Sequence, residues 1–265
     1  MVIADKECLM RYFVILCVLL VVLGDMASAE LSSLSDAITK TRELNILTQK
    51  LSTNYIMIGM NNHYGDTKRR LKEEIVQFGD IVAYLDEFAT SKKAFKNIEK
   101  VSKAWKAVLE ILRKQIQKEY VLKLVQQLDN MLLLTQQTTE IYTRQTGSAL
   151  GKVIDASANL TVESQRMAVL YLLKSWHASE KDLAEKMRSA MQSFRKSVDT
   201  LKAAKINTPE TSKILDSIEK DFMYFTMMGN QPTGNIPTLI YKKSNNILQK
   251  AKKLSNLYSK LIILN

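Results

Sequence analysis

Val153 to Trp176 reads VIDASANLTVESQRMAVLYLLKSW, and a second version of it, AITKTRELNILTQKLSTNYIMIGM, occupies Ala37 to Met60. A shift of 116 residues pairs Ile38 with Ile154, Leu44 with Leu160, Thr48 with Ser164, Gln49 with Gln165, Lys50 with Arg166 and Tyr55 with Tyr171. The same offset continues outward: Phe78 falls on Phe194, Val82 on Val198, Leu85 on Leu201, and TEIYTR (Thr139 to Arg144) on SNLYSK (Ser255 to Lys260). One constant offset over about a hundred residues is the mark of an internal duplication.

Three prolines and eight glycines leave little material for the turns of a β protein. Apolar residues recur at three- and four-residue spacing, and Pro209, Pro232 and Pro237 sit at helix ends. The predicted fold is all-α. The first copy, residues 30–150, is expected to hold helices at 33–61, 67–90, 93–115 and 118–147. The second, residues 151–265, is expected to hold them at 152–178, 180–205, 208–229 and 236–263. Thr208 ahead of Pro209 and Glu210 reads as an N-cap with proline in the first turn. The fourth helix alone would be long for a small domain, so two antiparallel four-helix bundles end to end account for it, and the Gly147 to Gly151 joint allows the fourth helix either to run straight into the fifth or to fold back.

SQRMAVLYLLKSW, from Ser164 to Trp176, resembles the first helix of the sensor domain of type IV pilus methyl-accepting chemotaxis transducers, the PilJ-like family. That family is related to the nitrate and nitrite sensing domains of bacterial histidine kinases. The resemblance implies two tandem four-helix sensor domains that read a small ligand or pass a signal without catalysis. In the nitrate-sensing relatives a symmetric dimer brings two first helices together, and an arginine from each clamps one anion. Carried over, the motif GRQRM falls on Ala158 to Val162 and on Arg42 to Ile46, so the clamping arginine becomes Thr161 and Asn45. Arg166 and Lys50 match a second basic position one turn away.

The chain opens with Lys6 and Arg11, an apolar run from Tyr12 to Gly24, and Ala27-Ser28-Ala29 before Glu30. This is the layout of a secretory signal cleaved after residue 29, since about a dozen apolar residues fall short of the ~20 that span a bilayer. Both cysteines, Cys8 and Cys17, lie within it, so the exported chain would have no disulfide. Its 236 residues would carry 36 basic against 24 acidic side chains, a net charge of +12. These charges alternate in sign along helix faces, as in LKEEI, rather than forming a block with interleaved aromatics, which argues against nucleic acid. The expected setting is periplasmic or secreted, in a Gram-negative bacterium.

Outside the leader there are two histidines, His63 and His177, each just past the first helix of its copy and without a second ligand at metal spacing. No phosphate loop, nucleophile elbow or HExxH is present. No enzyme activity, cofactor or metal is expected. The first helices instead carry a heptad stripe that is small and uncharged-polar in its middle, where a bundle seam is ordinarily leucine-rich. It runs through Ile38, Arg42, Asn45, Gln49, Ser52, Ile56 and Gly59 in one copy and Ile154, Ala158, Thr161, Gln165, Ala168, Leu172 and Ser175 in the other. Asn45, Gln49, Lys50, Thr161, Gln165 and Arg166 are the candidate ligand-binding residues. Duplication predicts that the two stripes face each other about a pseudo-two-fold axis, with Arg42 opposite Ala158 and Asn45 opposite Thr161. With neutral Asn45 and Thr161 in place of the arginines, a neutral or weakly polar small molecule fits better than nitrate. The module would act through a partner, such as a membrane-bound receptor or signalling protein. The alternative is a helical structural or interaction protein with a vestigial ligand site.

Overall fold

The computed structural model describes residues 34–145, 151–178, 182–229 and 237–263, which are helical with short connections and contain no strand. The expected secretory leader at residues 1–29, the joint at 146–150 and the loop around Pro232 lie outside the described residues. The helices are α1 (34–59), α2 (Thr67–Phe88), α3 (Lys92–Leu112), α4 (Lys118–Gln145), α5 (Gly151–Ser175), α6 (Leu183–Lys202), α7 (Pro209–Gly229) and α8 (Pro237–Ile263). Sequence periodicity places all eight, with ends differing by at most three residues, the frayed part of any helix.

Local chemistry sets the ends, and it repeats. Asn61 closes α1 and His177 closes α5, both in the left-handed region with φ of 55° and 53°. In each case the next amide reaches back five residues, Asn62 N–H to the Met57 carbonyl at 2.8 Å and Ala178 N–H to the Leu173 carbonyl at 3.0 Å. These are Schellman closures, which satisfy carbonyls that the last turn leaves open. Asp66 and Asp182, again 116 residues apart, precede α2 and α6 with φ of 55° and 63°. Ser91 caps α3 by accepting the Ala94 amide hydrogen at 3.2 Å. Thr208 accepts the Thr211 amide hydrogen at 3.2 Å, while its own amide donates to the Thr211 hydroxyl at 2.8 Å, a reciprocal cap.

Packing follows the same repeat. Phe78 of α2 stacks on Trp105 of α3 with centroids 4.2 Å apart, and Phe194 of α6 stacks on Phe222 of α7 at 4.5 Å. Trp105 and Phe222, which stand 117 residues apart and so one residue out of the main register, are both buried. Asn97 of α3 ties to α4 through the Leu134 carbonyl and the Thr138 hydroxyl, whereas Asp221 of α7 ties to α8 through Lys243 and Lys250. One apolar cluster gathers residues of α1 to α4, the other residues of α5 to α8. Val169, Leu172 and Leu173 of α5, with Tyr241 of α8, belong to the first cluster. Consequently α5 is covered on nearly every side between Leu160 and Leu173, as α1 is between Leu44 and Met57. A helix surrounded by others loses its solvent face.

The polar seam between α1 and α5

Two contacts orient α1 against α5. Arg42 forms an ion pair with Asp155 at 2.7 Å, and at the other end Gly59 abuts Trp176, whose ring a Cβ at position 59 would overlap. The helices therefore run parallel and flank to flank, close to the 116-residue register. The two halves meet along this flank. Arg42 pairs with Asp155, one turn before Ala158, and Arg42 and Ala158 line the same groove. A full charge seeks the nearest carboxylate within reach of its long side chain.

The uncharged side chains of the seam are deeply buried, with Gln49 and Gln165 each 1% exposed, Thr161 2% and Asn45 7%. Most hydroxyls close on their own helix: Thr48 donates to the Asn45 carbonyl, Ser52 to Thr48, Thr53 to Gln49, Thr161 to Ser157 and Ser164 to Thr161. The Asn45 amide oxygen accepts from Thr135 of α4 at 2.5 Å, so its partner is α4. Gln49 Nε2 donates to Asp129 of α4 at 3.4 Å, and Arg166 Nη2 stands 3.9 Å from the other oxygen of Asp129. Asp129 thus joins the matched turns of α1 and α5. Gln165 Nε2 has no hydrogen-bond partner.

Lys50 departs from its counterpart Arg166. It pairs with buried Glu74 of α2 at 2.6 Å, and Asn54 Nδ2 donates to the second oxygen of Glu74 at 2.6 Å. The Tyr241 hydroxyl of α8 donates to Asn54 Oδ1 at 2.9 Å and receives Arg70 Nη1 at 3.4 Å. This chain of polar groups crosses from one half to the other. Sequence reasoning missed Glu74, Asn54 and Tyr241. A signal existed for Glu74, which occupies a core position between Leu71 and Phe78 at helical spacing; a carboxylate there requires a partner.

On the other side, an open groove of about 820 Å³ lies among α1, α4, α5 and α6, and Arg42, Asn45, Ala158 and Asn159 contribute to its wall. Of the six candidate ligand residues only Asn45 lines it. Glu163 lies close by: burial pushes its carboxyl above the usual range, Arg166 and Ser193 counter this in part, and its Oε2 is unpartnered.

Comparison with family models, with curated proteins and with solved structures finds no match. The site must be read from its own chemistry. The seam offers amide and hydroxyl groups, which bind by neutral hydrogen bonds. Among the described residues no three His, Cys, Asp or Glu side chains converge to hold a metal, and no helix is long and apolar enough to cross a membrane.

Proposed function

We propose that the chain is a non-catalytic sensor or signal-relay module of the PilJ-like kind, exported to the periplasm or secreted, that acts through a partner protein. In this reading α1–α4 and α5–α8 are tandem antiparallel four-helix bundles related by a pseudo-two-fold axis between α1 and α5, so one chain takes the place of the symmetric dimer of its proposed relatives. The parallel run of α1 and α5 and the stacked pairs Phe78–Trp105 and Phe194–Phe222 support it.

The observation that carries the functional part is the matched pair Gln49 and Gln165, buried in mid-seam, with Gln165 Nε2 unpartnered. A buried donor without an acceptor costs about 1–3 kcal/mol, a cost that leucine at the same position would avoid. A small neutral or weakly polar ligand bearing an acceptor would remove it. Nitrate fits poorly, because Asn45 and Thr161 are neutral and Arg42 is engaged by Asp155. A thermal-shift screen of the exported chain against small anions and metabolites tests this: the ligand raises the melting temperature, and Gln165→Leu abolishes the rise. Micromolar nitrate binding lost on changing Thr161 or Asn45 would overturn the ligand class. Mass analysis of the secreted chain should place its start at Glu30.

A second reading, a helical structural or interaction protein, is favoured by the seam hydroxyls that close on their own helices. Under that reading no compound shifts the melting temperature, and Gln165→Leu simply stabilises the chain.

A further inference from the structure

The outward face of α3 departs from the alternation of charge expected along the helices, and differs in this from its counterpart α7. Helix α3 carries six lysines, Lys92, Lys93, Lys96, Lys100, Lys103 and Lys106, against Glu99 and Glu110, a net charge of +4. In α7, Lys213 and Lys220 stand against Glu210, Asp216, Glu219 and Asp221, a net charge of −2. Every one of those four acids has a lysine within its own half: Lys253 for Glu210, Lys202 for Asp216 and Glu219, and Lys243 with Lys250 for Asp221. The six lysines of α3 are all exposed, and none is paired with an acid among the described residues. Lys92, Lys96, Lys103 and Lys106 form one ridge about 21 Å long at 1.5 Å per residue, in which exposed Glu99 is the one acid. Lys93 and Lys100 flank it, beside a groove of about 560 Å³ toward α4. Phe95, 51% exposed, projects between Lys92 and Lys96 in sequence.

We propose that the α3 ridge docks the protein on an anionic phospholipid surface, with the lysines at the headgroup phosphates and Phe95 entering the interface. Charge complementarity requires an anionic partner, and three features select a bilayer. All six cations are lysines, compact point charges suited to a diffuse field of phosphates, where base or carboxylate recognition favours the planar fork of arginine. A protein partner wants a central cluster of aromatic and arginine anchors, and the ridge has a single aromatic. Nucleic acid bound as single strands wants several stacking rings, which are equally lacking. An isolated exposed phenylalanine among lysines suits the boundary between acyl chains and headgroups, where lysine stems lie along apolar surface and their ammonium groups reach the phosphates.

The test is sedimentation of the purified exported chain with vesicles of phosphatidylcholine alone or mixed with phosphatidylglycerol. Binding is expected only to the mixed vesicles and should weaken steeply with salt. Each lysine near an anionic surface contributes about fivefold, so Lys96→Gln, Lys100→Gln and Lys103→Gln together should lower partitioning about a hundredfold. The same change at exposed Lys213, Lys220 and Lys252 removes equal charge from the other half and should leave partitioning within about twofold of the parent by the same electrostatic argument. All six positions are exposed, so a matching circular dichroism melt shows that folding is intact. Equal losses in the two triple variants would overturn the ridge in favour of net charge. Binding unaffected by phosphatidylglycerol, or tighter binding to duplex DNA than to mixed vesicles at the same salt, would overturn the lipid partner.

Discussion

Tyr142 and Tyr258 occupy matched positions, both fully buried, yet only one phenol is satisfied. Tyr258 donates to Asn207 Oδ1 at 2.6 Å, whereas the Tyr142 hydroxyl has no partner, and burial raises the pKa of both. Removing a satisfied hydroxyl loses a hydrogen bond, while removing an unsatisfied one relieves a desolvation penalty. Tyr258→Phe is expected to cost about 1 kcal/mol in denaturant unfolding, and Tyr142→Phe to be neutral or stabilising by about as much. Equal losses would show that Tyr142 has an acceptor after all. Glu163 gives the second prediction at this scale. Its folded pKa is raised, mainly by burial, so its contribution to stability is complete below its unfolded pKa of about 4.3 and is lost as pH rises through the folded value. Asp129 and Arg166 are the charged groups that face it, and Arg166 only partly offsets the burial. Glu163→Gln should therefore match the parent near pH 4 and exceed it in melting temperature near pH 7. A constant difference across that range would contradict the assignment.

At the scale of elements, the stacked pairs hold α2 to α3 and α6 to α7 through residues 116 or 117 positions apart, Phe78 with Trp105 and Phe194 with Phe222. Trp105→Ala and Phe222→Ala should each cost about 3–5 kcal/mol, the range for emptying a buried aromatic site. A loss under about half a kilocalorie per mole, the scale of a surface change, would remove them from the core. The extra residue between Phe194 and Phe222 is absorbed in the α6–α7 connection, where Asn207 holds the Leu201 and Lys202 carbonyls. Helix ends are equally instructive. His177 stands exposed in a left-handed conformation where glycine is usual, so its position just past a helix is explained by closure geometry without any metal.

For the whole molecule, the close approach at Gly59 is one of the two contacts that orient α1 against α5. Alanine there would gain about 1 kcal/mol of helix propensity over glycine, but its Cβ would meet the Trp176 ring, and overpacking of this kind costs about 1–3 kcal/mol. Gly59→Ala is expected to destabilise the parent and to stabilise a Trp176→Ala background, a coupling that a double-mutant cycle measures. Additive effects would mean that the contact bears no load between the halves.

The sequence by itself determined the helical class, the 116-residue repeat, the eight elements and the aromatic positions of the core. Those features rest on periodicity, cap chemistry and the scarcity of proline and glycine, all of which act within a few residues. It also indicated that Gln49 and Gln165 would occupy an unusual seam, since polar residues at heptad core positions are visible without coordinates. Only the tertiary structure decided that Arg42 answers Asp155, that Asp129 serves both Gln49 and Arg166, and that Lys50 turns to Glu74 while its counterpart does not. Those pairings depend on the spacing and rotation of helices far apart in the chain. A shift of one turn between them changes every partner while leaving the pattern along each helix untouched.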